Sequence, residues 1–302
     1  MDELTFRDAD DVEVFYRQWL PEGPVRGAVV VAHGASEHSG RYARLADVLT
    51  SEGFAVYALD HRGHGHTAKA TGTGRLGPRG MDGVLDDVGG LIRRAREESG
   101  GRPVVLLGHS MGSLIAQAYV EERQDDLAGL VLSGTMGPPP PEMAEAATAV
   151  EGAVAAGMGD EPIDLLAMNN APFEPARTRF DWLSRDPAEV DAYINDPFCG
   201  DNHPLTFSYA LGVLGVARTI AEAPGIAKMP KDLPILLITG ESDTVSNFAA
   251  QVRELETRLR DADLDVVAHY YPEARHEVLN ETNRDAVHAD VVAWLDRVVP
   301  LQ

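Results

Sequence analysis

Gly108-His109-Ser110-Met111-Gly112 decides how this 302-residue chain is to be read. It follows the apolar run Pro103-Val-Val-Leu-Leu107, which reads as a strand, and precedes Ser113-Leu-Ile-Ala-Gln-Ala-Tyr-Val120, which reads as a helix. A G-x-S-x-G pattern between strand and helix signals chemistry, because the sharp turn holds the serine in a strained conformation with its hydroxyl exposed at the top of a sheet. Gly108 and Gly112 are small because strand and helix must cross closely there. The helix start also brings backbone N–H groups and a positive dipole end toward the hydroxyl. The competing reading is a chance match in a chain with 29 glycines, and the flanking strand and helix argue against it.

An active serine needs a histidine to take its proton and a carboxylate to orient that histidine, in the chain order serine, acid, histidine. Downstream, Pro234-Ile-Leu-Leu-Ile-Thr239 reads as a buried strand that ends in Gly240-Glu-Ser-Asp243-Thr-Val245. A helix near 247–261 and the strand Val266-Val-Ala-His-Tyr-Tyr271 follow, and Pro272-Glu-Ala-Arg-His276-Glu277 lies just past that strand. The carboxyl ends of parallel strands share one edge of a sheet, so Ser110, Asp243 and His276 are expected to converge there as a catalytic triad. Glu241 is the rival acid, and Asp243 is preferred for its place past the glycine turn. Among the ten histidines, His269 lies within a strand and His288 on a helix face. His61, His64 and His66 look like metal ligands, but no second His or Cys cluster completes a site, so no metal is expected.

The mechanism also needs two backbone N–H donors aimed at the developing oxyanion. Met111, the residue after the nucleophile, supplies one. The other comes from the loop after the strand Arg26-Gly-Ala-Val-Val-Val-Ala32, and Ala35 is the residue assigned to it.

Four stretches together resemble the monoacylglycerol lipase and lysophospholipase-like branch of the α/β-hydrolases. They are His33-Gly-Ala-Ser-Glu-His-Ser-Gly-Arg-Tyr42, Leu59-Asp-His-Arg-Gly-His-Gly65, the Ser110 pentapeptide and Arg275-His-Glu-Val-Leu-Asn280. The similarity covers most of 12–136 and 233–299, and 181–186 and 195–200 look like bacterial members. The resemblance implies ester hydrolysis without a metal or organic cofactor, with Glu37 and Arg41 at the polar end of the pocket near a glycerol-like leaving group. A plain loop salt bridge between those two residues is the alternative. Ser36, Thr67 and Thr244 depart from the usual Gly, Ser and Pro of the family.

Strands alternating with helices predict an α/β fold with a mostly parallel, doubly wound sheet. Residues 1–137 and 231–302 read as the α/β-hydrolase core, with 138–230 as a helical cap inserted after the sixth strand. The tract Pro138-Pro-Pro-Pro141 marks the boundary, and the cap carries helical stretches near 142–158 and 204–223 without strand patterns. Leu205, Phe207 and Leu211 are the cap residues expected to line an acyl pocket, while most other cap aromatics are expected to form the cap's own core. The formal G-x-G-x-x-G over 72–77 follows no strand and opens no helix, so no dinucleotide cofactor is expected.

A chain of this length buries one large core. A net charge of −22 argues against nucleic acid as a partner and against tight adsorption on anionic membranes. No apolar run approaches a membrane span, and the amino-terminal residues lack the pattern of a signal peptide. The lone Cys199 excludes an internal disulfide and agrees with a cytoplasmic location. The expected partner is a small-molecule ester, with at most transient lipid contact through the cap. Aminopeptidase or other acyl-transfer chemistry on the same triad is the alternative, followed by a catalytically silent ligand-binding member of the fold.

Overall fold

The computed structural model describes residues 1–123, 126–139, 141–164 and 166–300. In chain order come β1 (Asp2–Arg7), β2 (Glu13–Trp19), β3 (Gly27–Ala32), α1 (Ala43–Ser51), β4 (Phe54–Leu59), α2 (Ala68–Thr71), α3 (Met81–Glu98), β5 (Val104–His109), α4 (Met111–Glu122) and β6 (Gly129–Ser133). Then follow α5 (Pro141–Ala153), β7 (Pro162–Ile163), α6 (Pro187–Asn195), β8 (Leu205–Thr206), α7 (Phe207–Ala217), α8 (Ala223–Ile226), β9 (Ile235–Gly240), α9 (Ala250–Asp261), β10 (Val266–Tyr271) and α10 (Arg284–Val298).

Eight strands form one sheet in the order β1-β2-β4-β3-β5-β6-β9-β10, antiparallel at β1–β2 and β2–β4 and parallel elsewhere. The inner strands are continuous apolar runs because helices cover both faces. Leu45 and Leu49 of α1 and Trp294 of α10 pack on one face with Val29, Val31 and Leu107. Leu91 of α3, Leu114 of α4 and Leu255 of α9 pack on the other with Val30, Leu106 and Leu237. Each such fully buried aliphatic side chain contributes about 1.5–3 kcal/mol. Strand β1 was not foreseen, since only Phe6 of its six residues is buried and an exposed edge strand has no apolar alternation to read.

The 134–234 stretch between β6 and β9 is built differently. The expected absence of strands is corrected by a two-residue ribbon in which Pro162 pairs with Thr206 and Ile163 with Leu205. The helix expected over 142–158 ends as α5 at Ala153 and passes into a wider turn that contains Gly157 at φ 91°. The one expected over 204–223 shrinks to α7. The stretch docks on the strand-end edge through main-chain bonds, including His276 N–H to Trp182 O (3.3 Å), Glu277 N–H to Leu183 O (2.8 Å) and Gly200 N–H to Ser36 O (2.9 Å). No helix among the described residues is long and apolar enough to cross a membrane.

Candidate active site

Strand β5 delivers Ser110 into a left-handed conformation, φ 52° and ψ −121°, immediately before α4 begins. A non-glycine residue in that region is strained, and such strain is held only where the surroundings over-determine it. Here Ser110 N–H donates to Ser133 O (2.9 Å), while Ser113 Oγ donates to Ser110 O (2.6 Å). The crossing is as tight as the glycines predicted: a Cβ on Gly112 would overlap the Ala32 carbonyl oxygen, and one on Gly108 would overlap that of Gly112.

His276 follows β10 and Asp243 follows β9, and the two side chains meet with Nδ1 3.0 Å from Oδ1. Asp243 also accepts from Val245 N–H (2.9 Å) and Ser246 Oγ (3.1 Å). Burial pushes the Asp243 carboxyl up, but the His276 charge and these hydrogen bonds hold it below the ordinary value. Burial likewise pulls His276 down, yet the Asp243 carboxylate, its hydrogen bond, and Glu277 and Glu37 together leave the imidazole above its ordinary value. Glu241, the rival acid, is instead exposed and paired with Arg253 at 2.6 Å. His276 Nε2 is buried and makes no protein hydrogen bond among the described residues.

Ser110 and His276 share the wall of one cavity of about 20 Å³ with Ala35, Glu37, Trp182 and Glu277. The loop after β3 places Ala35 beside the serine. Among the described residues, neither the Ala35 nor the Met111 N–H is taken by a protein acceptor. The loop is braced from behind, since Ser36 N–H donates to His64 Nε2 (3.1 Å) and His61 N–H donates to His33 Nε2 (3.0 Å). Both imidazoles therefore accept at Nε2 as neutral rings, and burial keeps them well below the ordinary histidine value.

The other expected site residues divide. Glu37 is on the cavity wall, and it accepts from the Gly34 N–H and from Tyr42 Oη (2.9 Å). Arg41 is not on that wall, because it bridges Glu37 and Glu277, so the salt-bridge reading describes it. Leu205 lines a second cavity of about 300 Å³ with Ser36, Leu166 and Phe180, and Leu166 borders both cavities. Phe207 and Leu211 pack on Ala147, Val150, Ala210 and Leu214, Leu211 also borders a surface cavity with Leu76 and Met81, and neither lines the cavity at Ser110. Glu277 was missed as a wall residue, and Trp182 was counted among the cap aromatics of which most were expected to form the cap's own core. Glu277 adjoins His276 in sequence, a usable signal, whereas nothing local tells that the Trp182 ring lies 5.2 Å from the His276 ring.

His61, His64 and His66 do not converge as metal ligands. His61 and His64 are buried against His33, while His66 packs on Phe15 and Phe198. Among the described residues, one group has ligand atoms close enough for an ion: His38, Asp196 and Cys199, within 4.8 Å of one another. Its His38 Nε2 already pairs with Asp196 Oδ2 at 3.1 Å, and burial pushes the Cys199 thiol up, away from the thiolate that metals bind. Cys199 otherwise fills an apolar cluster with Phe180, Trp182 and Tyr193.

The sequence model of the family described as serine aminopeptidase S33 matches residues 23–283. A monoacylglycerol lipase of Mycolicibacterium smegmatis is 32% identical over 298 residues, covering 97% of this chain and 96% of that protein. A monoglyceride lipase of Homo sapiens is 30% identical over 293 residues, covering 96% of this chain and 89% of its own. Among solved structures, a thermostable carboxyl esterase of Bacillus coagulans in complex with glycerol superposes with a TM-score of 0.91 at 29% identity, over 99% of this chain and 98% of that one. Sequence, topology and site geometry agree, and the chain belongs to the monoacylglycerol lipase-like family of α/β-hydrolases, as a carboxylic ester hydrolase.

Proposed function

We propose that this enzyme hydrolyses monoacylglycerols or similar lipid-like or short-chain esters through an acyl-enzyme intermediate. Ser110 attacks the ester carbonyl as His276 Nε2 accepts its proton, and Asp243 holds the imidazole in the Nδ1–H tautomer. The N–H groups of Ala35 and Met111 stabilise the oxyanion. His276 then protonates the departing alcohol, and a water molecule repeats the sequence to release the acid. The observation that carries this reading is one cavity wall holding both a serine strained to φ 52° and a buried imidazole bonded to a buried carboxylate.

In this reading 138–230 acts as the cap, core and cap meeting at 137 and 231 as the proline tract suggests. The cavity of about 20 Å³ at Ser110 holds roughly one water molecule, so the cap must move for an ester to enter. The cavity of about 300 Å³ bordered by Leu166, with Ile163, Phe180 and Leu205 on its wall beside the exposed Asp164, Arg179 and Asp201, is the candidate space for the acyl chain. Met158 and Met168, both exposed on the cap, offer transient lipid contact. The single buried Cys199 supports a cytoplasmic location.

The test is a substrate panel run beside fluorophosphonate labelling. Labelling at Ser110, with turnover of glycerol monoesters above that of amino-acid anilides, is the expected result. Anilides cleaved in preference would shift the assignment to an aminopeptidase, and absence of labelling would mark a silent binding protein.

A further inference from the structure

In the loop after β3 the main-chain groups on either side of Ala35 are tied down one by one. Gly34 N–H donates to the Glu37 carboxylate, and Gly34 O accepts from His33 Nδ1 (2.7 Å). Ser36 N–H donates to His64 Nε2 (3.1 Å), and Ser36 O accepts from Gly200 N–H (2.9 Å). The Ala35 N–H between them has no protein acceptor among the described residues, and Ala35 lines the cavity with Ser110. Peptide groups are planar, so tying the planes on both sides of the Ala35 Cα fixes its φ and ψ, and with them the direction of its N–H. Ser36 takes φ 51°, a strained value for a residue with a side chain, and the bonds at its N–H and its C=O hold it there.

His64 is itself held rigidly. Its ring is fully buried, and because Nε2 accepts from Ser36 the ring proton sits on Nδ1, which donates to Arg62 O (3.1 Å). Both nitrogens are therefore occupied by main-chain groups, which fixes the tautomer and the tilt of the ring together. The His33 ring meets it at 5.1 Å and the Tyr209 ring at 5.2 Å, both edge-on. His33 is locked in the same tautomer by the His61 N–H at its own Nε2 (3.0 Å).

We propose that His64 is a positioning residue for ester hydrolysis: by accepting the Ser36 N–H, it aims the Ala35 N–H at the oxyanion formed when Ser110 attacks. The inference rests on the ester-hydrolase reading above, with Ala35 as one of the two oxyanion donors. Without the imidazole, a buried N–H is left unpaired, and the Ala35–Ser36 peptide turns to find another acceptor. Negative charge grows on the carbonyl oxygen only in the transition state, so a misaimed donor lowers kcat and leaves substrate binding almost unchanged.

The experiment compares His64→Asn with His64→Gln, two amides that differ in reach. The longer side chain brings its amide oxygen near the position of Nε2 and accepts from Ser36, whereas the shorter one ends near Nδ1. Each enzyme is assayed for kcat and KM on the octanoyl monoester of glycerol, and for inhibition by octyl trifluoromethyl ketone and octyl methyl ketone. The fluorinated ketone takes Ser110 Oγ onto its carbonyl carbon and presents an oxyanion, while the methyl ketone binds unreacted. In His64→Asn, kcat and affinity for the fluorinated ketone are both expected to fall about 100-fold, with KM and methyl-ketone affinity within about threefold of wild type. His64→Gln is expected to stay within about tenfold of wild type in all four. An unchanged kcat in His64→Asn, equal loss of affinity for the two ketones, or equal behaviour of the two variants would overturn this inference alone. Should the variants not fold, nitrogen NMR shifts of the wild-type imidazoles decide. The Nδ1–H tautomer of His64, kept in the fluorinated-ketone adduct, is expected, and the opposite tautomer would overturn the inference. A wild-type enzyme that neither hydrolyses the ester nor prefers the fluorinated ketone would overturn it together with the ester-hydrolase reading.

Discussion

The sheet and the stretch laid over its strand ends obey different physics. Strands β3, β4, β5, β6 and β9 are buried along their whole lengths, and the two large clusters on either face bind them to helices that include α1, α3, α4, α9 and α10. The stretch over 138–230 adds two small cores of its own, one around Trp182 and Tyr193 and one around Ala147 and Leu214, while Tyr209, Ala217 and Ile226 of its α7 and α8 pack into the large cluster on the sheet. It also carries solvent-exposed ion pairs such as Arg179–Asp201, Arg177–Asp191 and Arg218–Glu151. Exposed pairs contribute little and are screened by salt, so the part of this region outside α7 and α8 is held less firmly than the sheet. Ser110, His276 and Asp243 sit on the ends of the rigid strands, where geometry is kept. Trp182, Leu183 and Leu166 close the cavity from the stretch laid over the strand ends.

The sharpest test of this division is Ser110→Ala, expected to cut kcat by about a million-fold while leaving the urea midpoint unchanged. A large loss of stability would show that the strained serine also supports the sheet. Asp243→Asn should cost about 10⁴-fold in kcat by favouring the wrong imidazole tautomer, again with a folded protein by circular dichroism. Leu106→Ala, in the centre of β5, should cost about 2–5 kcal/mol of unfolding free energy. Trp182→Ala should cost less global stability and instead change KM, because it opens the wall over His276. If the two substitutions destabilised the protein equally, the contrast between sheet and cap would fail.

Two smaller effects follow from buried titratable groups. Glu121, at the end of α4, accepts from Ala221 N–H (2.9 Å), and burial pushes its carboxyl up to about 7. The folded state thus holds this proton more tightly than the unfolded chain. The associated stability is fully present below the ordinary glutamate value and is lost as pH rises toward about 7. Glu121→Gln should therefore be more stable than wild type by about 1–3 kcal/mol near pH 8, read from urea midpoints. His276, raised by Asp243 and its acidic neighbours, must be neutral to act. The acid limb of kcat/KM is expected to fall above the ordinary histidine value of about 6.5.

Local pattern made the order Ser110, Asp243, His276 legible. Glycines flanking Ser110 between an apolar strand and a helix, then Asp243 and His276 each just past a buried strand, are signals carried within a few residues of each site. The four strands read over 26–32, 103–107, 234–239 and 266–271 are present as β3, β5, β9 and β10, while β1 escaped because its edge position leaves it polar. The neutral, charged or apolar character of a residue says little about its neighbours across the chain, and there the reading was less complete. Phe207 and Leu211 looked no different from Leu205, and only packing sent them to a cap core.

What the sequence determined by itself was the fold class and the placing of Ser110, Asp243 and His276 each just past a buried strand, because period, turn chemistry and strand ends are short-range properties. Only the tertiary structure decided that His276 takes Asp243 and not Glu241, that Arg41 turns away from the cavity, and that Glu277 and Trp182 complete its wall. Those choices join residues 33 to 236 positions apart, and no local pattern records which distant partner wins the contact.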